Sequence, residues 1–271
     1  MLPALYSLYV CPTCRGDFTL ENGSRLACGS CAVAYPIVNG IPDFIRENLA
    51  ASPHLILRRV KVFDWVARIY EIKNAYPLCA KIYAGWQVSY PRVLRLITDM
   101  AAEVSGLILD VACGPGTLGR RLAGPSREIY GIDVSWGMLR QGAALASREG
   151  YQTVHFARAL AEALPFPDGC FDAGLSGVAL HLLADPLTGL REIWRTLKPG
   201  APLAATTIIA GETGLFKFRA FRRHIRTAHG MHVFTVPELS RLTAQAGFED
   251  FQAHVFGSLV AFRARKTLSP S

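Results

Sequence analysis

From residue 105 onward, short runs of apolar residues alternate with segments of helical period. Leu107, Ile108, Leu109 and Val111 form the first run, followed by 129–132, 153–156, 171–176 and 203–209. These runs are nearly continuous rather than alternating, as strands buried on both faces are. Between the last two, Asp185–Leu197 places Leu190, Ile193, Trp194 and Leu197 on one helical face. Strands alternating with helices predict a parallel sheet covered by helices on both sides. Beyond it, Pro237–Ala246 reads as a helix. Phe248–Phe256 and Leu259–Arg265 then read as two strands joined at Gly257-Ser258, a closing hairpin. Residues 46–104 carry helical spacing broken at Pro53, Pro77 and Pro91, with Val60, Phe63, Val66, Ala67 and Tyr70 on a common face. Near the N-terminus, Phe18–Leu20 and Arg25–Ala27 read as a small hairpin around Glu21-Asn22-Gly23-Ser24. The expected organisation is a module over 1–45, a helical lead-in over 46–106, a core over 107–265 with an insertion at 211–235, and a tail at 266–271.

Composition sharpens this picture. The chain has 271 residues, 51% of them hydrophobic, enough for one α/β domain with a small appendage. No apolar run approaches the ~18 residues of a membrane span. The opening MLPALYSLYV lacks the basic start and cleavage site of a signal peptide. A cytoplasmic, reducing setting is expected, where paired cysteines point to metal before disulfides. The net charge of +8 suits RNA, an anionic membrane surface or an acidic substrate without choosing among them.

Two kinds of chemistry stand out. Cys11-Pro-Thr-Cys14 and Cys28-Gly-Ser-Cys31 lie thirteen residues apart. Two such knuckles supply four thiolates to one tetrahedral Zn2+, a zinc ribbon whose metal is structural because no coordination position stays open. Leu107–Ala123 reads as strand, G-x-G-x-x-G turn (Gly114, Gly116, Gly119) and helix, with Thr117 placed to cap that helix. Asp133 ends the next strand, where a carboxylate accepts hydrogen bonds from ribose hydroxyls. Together these elements predict a nucleoside-containing cofactor, with NAD as one candidate for the same glycine turn.

The ribbon followed by Ala34–Phe44, YPI-x-NGIPDF, resembles the small zinc module found at the front of some methyltransferases, where it serves docking or stability. The ordered set DVACGPG (110–116), GIDVSWGML (131–139), AEALPFPDGCFD (161–172), ALHLL (179–183) and LKPG (197–200) resembles the class I S-adenosylmethionine-dependent methyltransferases, more narrowly the UbiE type. That resemblance implies a Rossmann-like, seven-stranded α/β sheet. It places Asp110 and the loop Ala112, Cys113, Gly114 and Gly116 beside the methionine part of the cofactor. It gives Asp133 the ribose, Val134 and Met138 the adenine faces, and Ala161 and Glu162 the adenine edge. Ser176 would line the methyl-transfer side. Leu160 stands where the family carries an aspartate toward the adenine amino group.

The insertion 211–235 is the most basic and aromatic part of the chain. It reads either as a pocket wall for an acidic or phenolic substrate, as a solvated amphipathic helix, or as an RNA or membrane contact. His181 is the first candidate for a general base, followed by His229, His232 and Tyr83; Tyr83 and Trp86 are also candidates for a cofactor cover. The leading expectation is an O- or C-methyltransferase of a small molecule. An rRNA guanine methyltransferase and a non-methylating binding protein or cyclase on the same fold are the alternatives.

Overall fold

The computed structural model describes residues 3–46, 49–58, 60–70, 78, 81, 85 and 89–268. Tyr83 and Trp86 lie outside them. The N-terminal module is an antiparallel sheet in chain order: β1 (Phe18–Glu21), β2 (Arg25–Cys28), β3 (Ala34–Val38) and β4 (Ile41–Pro42). The last two strands are joined by Asn39 and Gly40, both at positive φ (53° and 79°), the backbone that a tight hairpin turn demands.

The lead-in contributes a helical turn at Leu55–Arg58 and then α1 (Val60–Tyr70) and α2 (Tyr90–Ala102). Pro91 marks the start of a helix, as its place in the sequence predicts. It sits in the first turn of α2, where its missing N–H costs nothing. The core runs β5 (Gly106–Val111), α3 (Thr117–Leu122), β6 (Arg127–Asp133), α4 (Trp136–Arg148), β7 (Val154–Arg158), β8 (Ala173–Gly177), α5 (Pro186–Thr196), β9 (Pro202–Ile208), α6 (Arg219–His229), α7 (Val236–Gln245), β10 (Phe248–Phe256) and β11 (Leu259–Lys266). Strand order is β10-β11-β9-β8-β5-β6-β7. β5 to β9 are mutually parallel, while β11 enters antiparallel between β9 and β10. This is the seven-stranded α/β sheet expected, closing hairpin included.

Alternate residues of β5 feed the two faces. Leu109 and Val111 join the cluster of Ile132, Phe166 and Phe171. Ile108 joins Val93 and Ile97 of α2, Ile129, Leu139 and Phe156. The N-terminal module is welded to the first face. Tyr9 lies 5.2 Å from Phe44 and 5.3 Å from Phe166 between ring centroids. Phe166 in turn meets Tyr130 and Phe171 at 5.8 and 4.8 Å. Polar bonds fix the register. Phe44 N–H donates to the Arg158 carbonyl (2.8 Å), and Val10 N–H to the Pro165 carbonyl (3.0 Å). Asp43 and Arg158 form an ion pair at 3.0 Å with both side chains largely covered.

Candidate functional site

The two cysteine knuckles fold alike. Arg15 N–H returns to the Cys11 carbonyl at 2.8 Å, and Ala32 N–H to the Cys28 carbonyl at 3.1 Å. Arg15 and Ala32, each just after a second cysteine, take positive φ (63° and 56°). The result brings the sulfurs of Cys11, Cys14, Cys28 and Cys31 within 4.8 Å of one another. Cys14 and Cys28 approach to 3.4 Å, Cys11 and Cys31 to 3.7 Å. A tetrahedral ion with bonds of ~2.3 Å to sulfur sets its ligands about 3.8 Å apart, so the donor set fits zinc.

The second site begins at the carboxyl end of β5. Ala112, Gly114 and Gly116 all have positive φ (52°, 55° and 72°), which turns the chain sharply toward α3. Gly116 occupies the cap position, so Thr117 is the first helical residue and not the cap. Gly119 is required by contact: a Cβ there would lie 2.7 Å from Ile129 Cγ2. Asp133, at the end of β6, accepts from Gly114 N–H (2.9 Å) and Ser135 N–H (2.8 Å). Those bonds hold its carboxylate at the wall of a cavity of about 220 Å³. Burial raises the Asp133 carboxyl pKa and the nearby Asp64 adds to the shift, while the amides of Ser135, Gly114 and Val134 oppose it.

Asp110 is 1% exposed. One of its oxygens accepts from Gly119 N–H at 3.1 Å, and the other has no protein partner among the described residues. Burial pushes its carboxyl up to about 7, against the Gly119 bond and with help from Asp133. It faces a small void whose walls Ala112, Gly177 and Val178 are shared with the larger cavity. A partnerless buried carboxylate oxygen there suits a cationic ligand group.

The lead-in closes the cavity. Leu57, Val60 and Phe63 form its outer wall. α1 is latched to the start of α4 by Asp64, which accepts from the Ser135 hydroxyl (2.6 Å) and Gly137 N–H (2.8 Å). A carboxylate at a helix N-terminus is well placed for the helix dipole and its free amides. The approach is so close that a Cβ on Gly137 would lie 2.7 Å from the Asp64 backbone.

Of the sequence-predicted residues, Ala112, Gly114, Asp133, Val134, Met138, Ala161 and Glu162 line the cavity. Asp110 and Cys113 border the adjoining void. Gly116 turns the loop from outside, and Ser176 is fully buried. Leu160 packs with Leu57, Val60, Phe63, Val134 and Leu182, so it braces the lid. His181 is 3% exposed, with Nδ1 3.2 Å from the Thr207 hydroxyl. Burial, aided by His232, drops its pKa to about 3, which leaves a neutral imidazole outside the cavity lining. His232 donates its backbone N–H to the His181 carbonyl (2.9 Å), and His229 stacks edge-on against His224 at 5.7 Å. Neither lines the cavity. Tyr83 lies outside the described residues. Among the described lining residues only Asp133 and Glu162 carry a carboxylate. The sequence reading missed Leu182, Ala184 and Val178. Val178 holds φ = 55° just past β8 and donates N–H to the Thr206 hydroxyl at 2.8 Å. Positive φ at a β-branched residue is costly and marks a constrained site wall.

Residues 108–200 match the family model described as a methyltransferase domain. A demethylmenaquinone methyltransferase of Anoxybacillus flavithermus is 41% identical over 143 residues, covering 52% of this chain and 57% of that protein. An uncharacterised chloroplastic methyltransferase of Arabidopsis thaliana is 27% identical over 207 residues, covering 70% of this chain and 58% of that protein. The chain thus spans little more than half the length of either relative. Among solved structures, the [4+2]-cyclase SpnF superposes with a TM-score of 0.63 at 22% identity, over 83% of this chain and all of that one.

Proposed function

We infer that this chain, which carries a methyltransferase domain on the class I methyltransferase fold, is an S-adenosylmethionine-dependent methyltransferase of a small molecule, with one structural zinc in its N-terminal module. The observation that carries the reading is Asp133: a carboxylate at the end of β6, fixed by two backbone amides and presented to an apolar cavity between glycine loop and lid. Asp133 would hold the ribose hydroxyls, Val134 and Met138 the adenine, and Asp110 the amino end. When bound, S-adenosylmethionine supplies a methyl group on a sulfonium that an in-line nucleophile displaces. Lid and loop exclude water and orient the acceptor, which is where most of the rate enhancement of such a displacement arises.

Of the two carboxylates in the described lining, Asp133 is committed to the amides of Gly114 and Ser135 and Glu162 accepts from Asp185 N–H at 3.0 Å, while His181 is buried outside it. An acceptor that is already nucleophilic, a phenolate oxygen or the carbon of an electron-rich ring, fits such a wall better than an alcohol or amine. The quinone-pathway name of the Anoxybacillus relative points to the same class. Calorimetry with S-adenosylhomocysteine tests the cofactor assignment. Binding to the wild type and at least tenfold weaker binding to Asp133→Ala are expected; equal affinity in the two, or none in the wild type, overturns it. Metal analysis giving about one zinc per chain tests the module.

A further inference from the structure

The cations of α6 are not used by the site described above. Residues 213–234 contain no Asp or Glu but carry Lys217, Arg219, Arg222, Arg223 and Arg226. The four arginines recur at i, i+3, i+4 and i+7, one face of the helix, and with Val233 they line a shallow concavity of about 230 Å³. The opposite face is spoken for. Ile225 is buried with Phe216 and Val233, and Phe221 packs beside them. None of the five cations is ion-paired to a carboxylate among the described residues. Among the described residues Arg222 bonds backbone, through Nη1 to the carbonyls of Phe216 and Lys217 at 2.7 and 3.0 Å. Immediately before the helix, Phe218 is 53% exposed, with Lys217 Nζ 4.8 Å from its ring centroid.

We propose that this face of α6, with Phe218 at its lip, docks the protein on an anionic lipid bilayer. The charges spread along roughly 10 Å of helix surface, so they suit many phosphates in a plane and not one small anion. Nor does the patch make a stacking platform for successive bases: Phe216 is 1% exposed and pairs with Phe221 at 5.2 Å, so among the described phenylalanines of this segment Phe218 alone is exposed. A basic helix face beside an exposed aromatic ring is the pattern of proteins that lie on anionic membranes. The apolar face of α6 is turned into the protein, so attraction is chiefly electrostatic and falls with salt. The docking surface does not depend on the methyltransferase reading, and melting temperature alone suffices as the folding control.

The test is co-sedimentation of the full, zinc-loaded chain with vesicles of phosphatidylcholine alone or mixed with phosphatidylglycerol. Binding to the mixed vesicles only, reversed by salt, is expected. Near such a surface each basic residue contributes roughly fivefold, so Arg219→Glu combined with Arg223→Glu should lower partition at least tenfold. Phe218→Ser should lower it less. These residues are exposed, so melting temperature and S-adenosylhomocysteine affinity should match the wild type and exclude misfolding. Absence of vesicle binding, equal binding to neutral vesicles, or indifference to the charge reversals overturns the proposal. So does retention of a single-stranded RNA oligonucleotide by this face without vesicle binding.

Discussion

Gly137→Ala sets two local effects against each other. Gly137 is the second residue of α4, and within that helix alanine is favoured by about 0.5–1 kcal/mol. The new Cβ, however, would lie 2.7 Å from both Cα and carbonyl oxygen of Asp64, and 3.1 Å from its carbonyl carbon. All three are backbone atoms, so no rotamer change relieves the contact, and α1 must withdraw by about 1 Å to regain ordinary packing. Withdrawal strains the Asp64 bonds to Ser135 Oγ and Gly137 N. Hydrogen bonds to a charged group are worth about 1.5–3 kcal/mol each. It also draws Val60 and Phe63 from the cavity wall. The core gains while the lid loses. Calorimetry should show S-adenosylhomocysteine binding at least tenfold weaker, about 1.4 kcal/mol. The melting temperature should stay within a few degrees of the wild type. Asp64→Asn, which keeps the shape and removes the charge, should weaken binding less. Wild-type affinity in Gly137→Ala would refute the lid assignment outright.

Removing zinc with a chelator should lower the melting temperature of the whole protein in one transition, not two, because module and core share one aromatic cluster; calorimetric melts check it. Asp110 ionises near 3.8 when unfolded and near 7 when folded, so its burial penalty on the folded state grows as pH rises through that window and is complete above it. Asp110→Asn should therefore raise the melting temperature of the ligand-free protein above pH 7 and change little below pH 3.8. By the same linkage, S-adenosylhomocysteine affinity of the wild type should rise as pH passes through 7, while that of Asp110→Asn stays flat in the same buffer series. Leu160→Asp supplies the acid that the methyltransferases this sequence resembles carry, yet puts a carboxylate among Leu57, Val60 and Phe63. Weaker binding of S-adenosylhomocysteine is expected, and tighter binding would show that the lid does not need this leucine.

The core was legible because its signals are local. Continuous apolar runs mark β5 and β6, glycines mark the turn, and Asp133 sits at a fixed place after it. The clustering of the four cysteines was legible for the same reason, since the spacing within each knuckle is local. Its second hairpin went unread although Asn39-Gly40 is a strong turn signal, because Pro36 and Pro42 on either side argue against strands. His181 shows the limit of sequence reasoning about chemistry. It falls just beyond β8, where reactive groups of such folds gather, but whether its ring faces ligand or core depends on packing by Thr207 and His232 from distant elements. Val178 carries no signal at all in the sequence, since its positive φ is imposed by the Thr206 bond and the cavity behind it. The lid contact was equally hidden, because nothing local links Asp64 to a helix start 73 residues later.

The short parallel pairing of Asp43 with Arg158 bears on how this protein would fail. β7 is the last strand of the large sheet, and such an edge offers unsatisfied amides and carbonyls to any other extended chain. Here the N-terminal module occupies the carboxyl end of that edge, through Phe44 N–H and the Asp43 carboxylate. On the zinc reading proposed above, its own fold depends on the ion held by Cys11, Cys14, Cys28 and Cys31. Oxidation of those thiols, or scarcity of metal, would loosen this cover and expose Val154–Arg158. Loss of the ion would then register as self-association through that edge, and solubility would depend on metal supply.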